Sequence, residues 1–177
     1  SLEGHPDNVA PCVYGGLTAS MIEADHFITR SLPVADLSLL VITPNVTLPT
    51  SKSRAALPQV IPHKDAVYNL GHALLLTEGL KNGDLDLISA SMKDHLHQAY
   101  RLPLIPGSAE AIMAAQDAGA VACTLSGAGS SLLAVLRTQA DARPIGEAMQ
   151  AAFAKHDVTS RIFTPAIDFE GTTLRVL

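Results

Sequence analysis

Tryptophan is absent from this 177-residue sequence, cysteine occurs twice, and aromatic residues make up only 4%. Two cysteines, Cys12 and Cys123, cannot build a disulfide framework, and no Cys/His spacing of the structural-zinc type exists, so no metal ligands are assigned. Each lies in an apolar run, where a free Cys behaves as a small buried hydrophobe. A reduced, cytoplasmic protein is expected. Charge is also scarce: charged residues make up 16%, with a net charge of −5. The densest basic run is Lys52-Ser53-Arg54, too little to track nucleic-acid phosphates. The longest apolar runs, such as Leu37 to Ile42 and Ser131 to Leu136, fall far short of the roughly 18 to 20 residues of a membrane span. Neither a nucleic-acid nor a membrane partner is expected, nor a signal peptide.

What is present is a globular composition, 47% hydrophobic with 12 Gly and 11 Pro and no low-complexity segment. A chain of this length buries roughly 70% of its unfolded surface on folding, enough for its own core. It begins Ser1-Leu2-Glu3-Gly4, without methionine, and runs at once into a dense motif. That start reads as a cut.

Periodicity gives the elements. Residues 16–23 and 26–32 alternate loosely and read as a hairpin turning at Glu23, Ala24 and Asp25. The near-continuous apolar run 36–43 suits a central strand. Pro44, Pro49, Pro58 and Pro62 mark a long loop with short helical turns. Ala66, Val67, Leu70, Ala73 and Leu74 share a helical stripe, predicting a helix over 63–79 ended by Gly79. A second helix is expected over 84–97. A third is N-capped by Ser108, with Ile112 and Met113 inward and Gly119 closing it. Strands at 120–125 and 131–137 flank a glycine-rich turn. A helix over 141–155 carries Ile145, Met149, Ala152 and Phe153 on one face, and strands at 158–164 and 172–177 finish the chain. From residue 36 this is an α+β order, a ferredoxin-like split βαβ with extra helices in the first crossover, its four strands in one antiparallel sheet with helices on one face. Residues 1–35, a helix plus hairpin, look like the remnant of a preceding domain, and 36–177 form the main one.

Three places carry candidate chemistry. In Glu3-Gly4-His5-Pro6-Asp7-Asn8-Val9-Ala10-Pro11 composition alone gives a capped turn entering a helix, with Pro6 at its first position. The functional alternative aims Asp7 and Asn8 at a polar substrate. Ser126-Gly127-Ala128-Gly129-Ser130 joins two strands with more small residues than a hairpin needs. Its glycines permit positive φ and close approach to a ligand, as in an anion nest, although a plain turn explains them equally well. It is not a Walker A loop. Arg54 and Arg101 are loop arginines, ordinarily solvated, whose planar guanidinium groups suit bidentate capture of a carboxylate. His95 and His97, two apart, would diverge on a helix and make a poor metal pair.

Glu3 to Pro11 followed by Tyr14-Gly15-Gly16 resembles the segment typical of homoserine kinases, within the GHMP superfamily of galactokinase, mevalonate kinase and phosphomevalonate kinase. Tyr100-Arg101-Leu102-Pro103-Leu104-Ile105-Pro106-Gly107 resembles the family's PYR…LPG passage, and Leu125 to Ser131 its third motif. Ser130 stands where that motif usually has Pro, and Ala99 where the second commonly has Pro. The resemblance implies a C-terminal GHMP kinase domain and transfer of the ATP γ-phosphate, with Mg²⁺, to the hydroxyl of L-homoserine, a step toward threonine. It implies that His5, Asp7, Asn8, Arg54 and Arg101 contact substrate. The two arginines would take the carboxylate, Asp7 would occupy the position of a base-like aspartate, and residues 126–130 would buttress the phosphate loop. The family's G-L-G-S-S-A loop does not occur in these 177 residues, so the resemblance also implies a missing N-terminal half, without which the fragment is inactive. That half, or a second copy in a homodimer, would cover apolar residues in 9–32. Two other readings stand beside it: a ferredoxin-like regulatory module that only binds a small molecule, and a kinase of the same superfamily acting on a mevalonate-type alcohol.

Overall fold

The computed structural model describes residues 6–174, and their strands fall into two sheets. A short helix α1 (Val9–Tyr14) leads into β1 (Leu17–Glu23) and β2 (His26–Leu32), paired antiparallel from Leu17 opposite Leu32 to Glu23 opposite His26. Ala24 and Asp25 take φ of 47° and 65°, the two left-handed residues of a turn whose twist matches that of a hairpin. The expected hairpin and its turn are therefore present. Pro6 precedes α1 instead of opening it, and its carbonyl accepts from the Ala10 N–H at 2.8 Å.

The second sheet contains β3 (Leu39–Pro44), β4 (Ala122–Leu125), β5 (Leu132–Val135) and β6 (Ser160–Phe163). Its order is β4-β5-β3-β6, with every neighbouring pair antiparallel. This is the split βαβ arrangement expected, with all four predicted strands in one sheet. Side chains alternate across it. Leu40 and Ile42 of β3, Cys123 and Leu125 of β4, and Leu132 and Ala134 of β5 enter one core. That core is closed by α6 (Ser108–Asp117) and α7 (Ala142–Ala154), the latter through Ile145, Met149, Ala152 and Phe153, as its periodicity predicts. Gly146 lets α7 lie against the sheet, because a Cβ there would sit 2.6 Å from Ile162 Cδ1 and 3.2 Å from Leu40 Cδ1.

The helices are not confined to one face. Leu39, Val135 and Ala122, neighbours in register, point the other way and join Leu37, Val121, Leu76, Leu80 and Ile88 in a second cluster. The covering pair is α3 (His63–Asn82) and α4 (Leu85–Ser91). Helix α3 runs past Gly79 to end at left-handed Gly83. Gly79 is instead the contact point of the pair, since a Cβ on it would lie 3.1 Å from Ile88 Cγ1 and 3.2 Å from its backbone nitrogen. The expected stripe is apolar but largely uncovered: Val67, Leu70 and Leu74 are 54%, 65% and 71% exposed. Only the C-terminal third of α3 reaches the cluster; its first half leaves this apolar stripe open and contacts the rest of the fold through Asp65, Tyr68 and Asn69, which meet the segment around Asp94 and His95.

Other boundaries shift for local reasons. The predicted helix 84–97 stops at Ser91, after Asp84 caps it through the Leu87 N–H. Gly107, left-handed at φ 81°, takes the N-cap position expected of Ser108, whose hydroxyl donates to the Leu102 carbonyl. Met113 is exposed, and so is Cys12, whereas burial pushes the Cys123 thiol up to about 12. A strand over 172–177 is not found in Thr172–Leu174, and residues 175–177 lie outside the described residues. The tail returns to the start of the chain: the Gly16 N–H donates to Asp168 O at 2.7 Å and the Thr172 N–H to Val13 O at 3.1 Å.

Candidate active site

The glycine-rich turn is held from three sides. The Ser126 N–H donates to Ser131 O at 2.9 Å and the Gly129 N–H to Ser126 O at 3.0 Å, closing a compact loop between β4 and β5. Gly127 and Gly129 have φ of 56° and 87°, values that favour glycine. They serve different ends. A Cβ on Gly129 would press on Ile105 and Leu125 at 3.0 and 3.1 Å, whereas nothing lies within 4 Å of one on Gly127, which leaves that backbone open to close approach by a ligand. Helix α2 (Thr50–Ala55), inside the proline-rich loop, docks on the turn through the fully buried Ser53, whose hydroxyl donates to Ala128 O at 2.7 Å. Ser130, in place of the motif's proline, donates to Val46 O at 3.0 Å.

A one-turn helix, α5 (Gln98–Arg101), closes the third side. Gln98 Oε1 accepts from the Leu125 N–H at 2.9 Å. Arg101 donates from Nε to Ser53 O at 3.4 Å and from Nη1 to Gly127 O at 3.3 Å, so one guanidinium ties α2 to the turn. Around these groups opens a cleft of about 440 Å³. Asp7, Asn8, Arg54 and Arg101 line it together, opposite Ser126 to Gly129. Of the residues assigned to substrate or phosphate from sequence, only Ser130 lies off this lining, and His5 lies outside the described residues.

Thr50, His97 and Thr124 also line the cleft, and the sequence reading misses all three as site residues. A spacing signal exists for two of them. Thr50 precedes Arg54, and His97 precedes Arg101, by four residues, the interval that places side chains on one helical face. His97 is not part of a longer helix but the residue before α5, and His95 stacks on Tyr68 with centroids 3.8 Å apart. Burial lowers the pKa of His97, the Asp94 carboxylate 3.7 Å away opposes this, and Arg101 adds to the lowering. A neutral imidazole at neutral pH therefore sits beside two guanidinium groups and one carboxylate, a lining suited to a small zwitterion that brings both charges.

Comparison with known proteins follows the same line. The family model described as "GHMP kinases C terminal" matches residues 76–155. Those residues match the C-terminal domain of GHMP kinases. Homoserine kinase of Moorella thermoacetica is 46% identical over 89% of the chain and 53% of its own length, and that of Desulfitobacterium hafniense is 37% identical over 98% of the chain and 58% of its own. The crystal structure of homoserine kinase from Cytophaga hutchinsonii superposes with a TM-score of 0.86 at 36% identity, covering 94% of this chain and 53% of that one. The chain thus spans about half the length of these relatives.

The matched span holds α5, the glycine-rich turn and both core helices. Asp7, Asn8, Thr50 and Arg54 come from outside it. The cleft is therefore assembled across the domain's sequence boundary, from a loop before the first matched residue and a turn near the middle of the match. No helix among the described residues is long and apolar enough to cross a membrane.

Proposed function

We propose that this chain is the acceptor-binding half of a homoserine kinase, cytoplasmic, working with an ATP-cradling half that it does not itself contain. The observation that carries the reading is the convergence of Asp7, Asn8, Arg54 and Arg101 on the open face of Gly127 in one cleft. L-homoserine presents a carboxylate, an ammonium and a hydroxyl. The carboxylate pairs with Arg54 and Arg101, whose forked donors fit two oxygens. The ammonium lies toward Asp7, and Asn8 orients the hydroxyl toward the glycine-rich turn. His97, kept neutral, adds no competing charge.

Phosphoryl transfer depends mainly on positioning and charge stabilisation. The hydroxyl oxygen attacks the γ-phosphorus, the bond to the β,γ-bridging oxygen breaks, ADP leaves and the hydroxyl proton is released, with Asp7 the nearest candidate acceptor. The turn residues 126–130 fit the phosphate end of ATP, since Gly127 leaves the backbone unobstructed. Mg²⁺ would be carried on the ATP phosphates, where it offsets their charge during transfer.

The test is a coupled assay of homoserine-dependent ADP release. The full-length protein should turn over at about 1 to 100 per second, and residues 1–177 alone should not. Arg54→Ala and Arg101→Ala should each raise the homoserine KM by about 10- to 200-fold, as expected for loss of a charge-assisted pair. Because Arg101 also holds the Gly127 carbonyl, its truncation should raise the ATP KM as well, by roughly 5-fold for one ordinary hydrogen bond. Arg54→Ala should leave the ATP KM in place. An unchanged homoserine KM in both variants overturns the reading.

A further inference from the structure

Arg101 holds its place at the end of a helix that cannot hold itself. Helix α5 has four residues, Gln98–Arg101, far below the length at which an isolated helix is stable, yet it and the residue before it bring Arg101 and His97 to the cleft. What fixes it is outside the cleft. Asp94 accepts from the His97 and Gln98 N–H groups through Oδ2 at 2.7 and 2.6 Å, and from the Leu96 N–H through Oδ1 at 3.1 Å. The remaining partner is Asn69, in the middle of α3, which donates from Nδ2 to Asp94 Oδ1 at 2.8 Å and accepts from the His95 N–H at 2.8 Å. A single carboxylate thus receives four donors and fastens the loop and the start of α5 to a long helix.

We infer that Asp94 is the positioning residue for the carboxylate-binding arginine, and that through Arg101 it sets the preference for acceptors that carry a carboxylate. The inference rests on the function proposed above. The chemistry of the hub demands a carboxylate, because all four partners are donors. An asparagine offers one acceptor oxygen and one donor group, and because each Asp94 oxygen takes two of the donors, two of them must then face an N–H. Turning the Asn69 amide to compensate would take its oxygen from the His95 N–H. The error would be passed along one helical turn to the guanidinium, whose bonds to Ser53 O and Gly127 O are already long at 3.4 and 3.3 Å.

The decisive measurement sets homoserine against aminopropanol, the same molecule without its carboxylate, in the full-length protein. The readout is the ratio of the aminopropanol inhibition constant to the homoserine KM. Asp94→Asn should lower that ratio about 10-fold or more while kcat changes less than about 3-fold, the signature of lost ground-state binding. Asp94→Glu, which keeps the charge and the acceptors, should restore part of it. In an Arg101→Ala background, Asp94→Asn should have no further effect on the ratio, since residues acting as one unit are not additive. Asn69→Ala, which removes one of the four donors, should give a smaller shift in the same direction, and it serves if Asp94→Asn does not fold. If wild-type protein phosphorylates homoserine but neither Asp94→Asn nor Asn69→Ala moves the ratio, Asp94 is structural only and the inference falls. If wild-type protein does not phosphorylate homoserine, the underlying reading falls, and this inference with it.

Discussion

The β1–β2 hairpin and the four-stranded sheet are built from similar residues and pair in the same antiparallel way, yet only one of them is buried. In β3 the pattern alternates and Leu40 and Ile42 are inaccessible to solvent. Along the hairpin no residue is buried, and Met21, Ile22, Phe27 and Ile28 are all exposed. Backbone pairing satisfies N–H and C=O groups in both places, but net stability comes chiefly from apolar area removed from water. A two-stranded ribbon without a covering layer is marginal by itself. The hairpin's apolar side chains thus lie open to solvent in a chain that spans about half the length of its relatives.

The largest expected effect separates the two regions directly. Phe153→Ala in the core of α7 should cost about 3 to 5 kcal/mol in urea unfolding, the usual range for a buried aromatic. Phe27→Ala in the hairpin should cost under about 0.5 kcal/mol in the 177-residue chain, as surface substitutions do. In full-length protein the same change should become measurably destabilising. Equal costs for Phe153 and Phe27 in the shorter chain would contradict the contrast between sheet and hairpin.

Two glycines probe the same contrast at smaller scale. Gly146→Ala places a methyl group against Ile162 and Leu40 and should destabilise by about 1 to 3 kcal/mol through overpacking. Gly71, on the uncovered part of α3, has nothing within 4 Å of the place a methyl group would take. Gly71→Ala should therefore stabilise, by about 0.5 to 1 kcal/mol from helix propensity. Thermal or urea denaturation gives both signs, and a destabilising Gly71→Ala would show that something already packs there.

The smallest effect is in the acid limb of stability. Burial alone would raise the Asp94 pKa, but hydrogen bonds from the Gln98 N–H, the Asn69 amide and the His97 and Leu96 N–H groups outweigh it and hold the pKa below the ordinary range. Its contribution is present above the unfolded pKa of about 3.9. It is lost as pH falls through the lower, folded value. Replacing Asp94 by Asn should flatten the pH dependence of unfolding below about pH 4 and leave the slope near neutrality unchanged.

Several features of this protein were fixed by local residue order. The strand and helix succession from β3 to β6, the left-handed turn at Ala24 and Asp25, and the inward stripe of α7 follow from periodicity and turn chemistry within a few residues. So do the glycines of the 126–130 turn. Tertiary contact decided the rest. Apolar spacing on α3 marked a face, but coverage depends on where α4 and the sheet edge lie, so Val67, Leu70 and Leu74 stayed exposed while Leu76 and Leu80 became half-buried against the second cluster. Gly79 reads as a terminator in sequence because a missing Cβ looks the same at a helix end and at a helix crossing. The cleft residues of widest separation, Asp7 and Gly129, are brought together by folding, and the route from Asn69 through Asp94 to Arg101 had no sequence pattern to betray it. Asn69 meets Asp94 and the His95 N–H across separations of 25 and 26 residues, and most of the donors that converge on Asp94 are backbone N–H groups, which any sequence can supply.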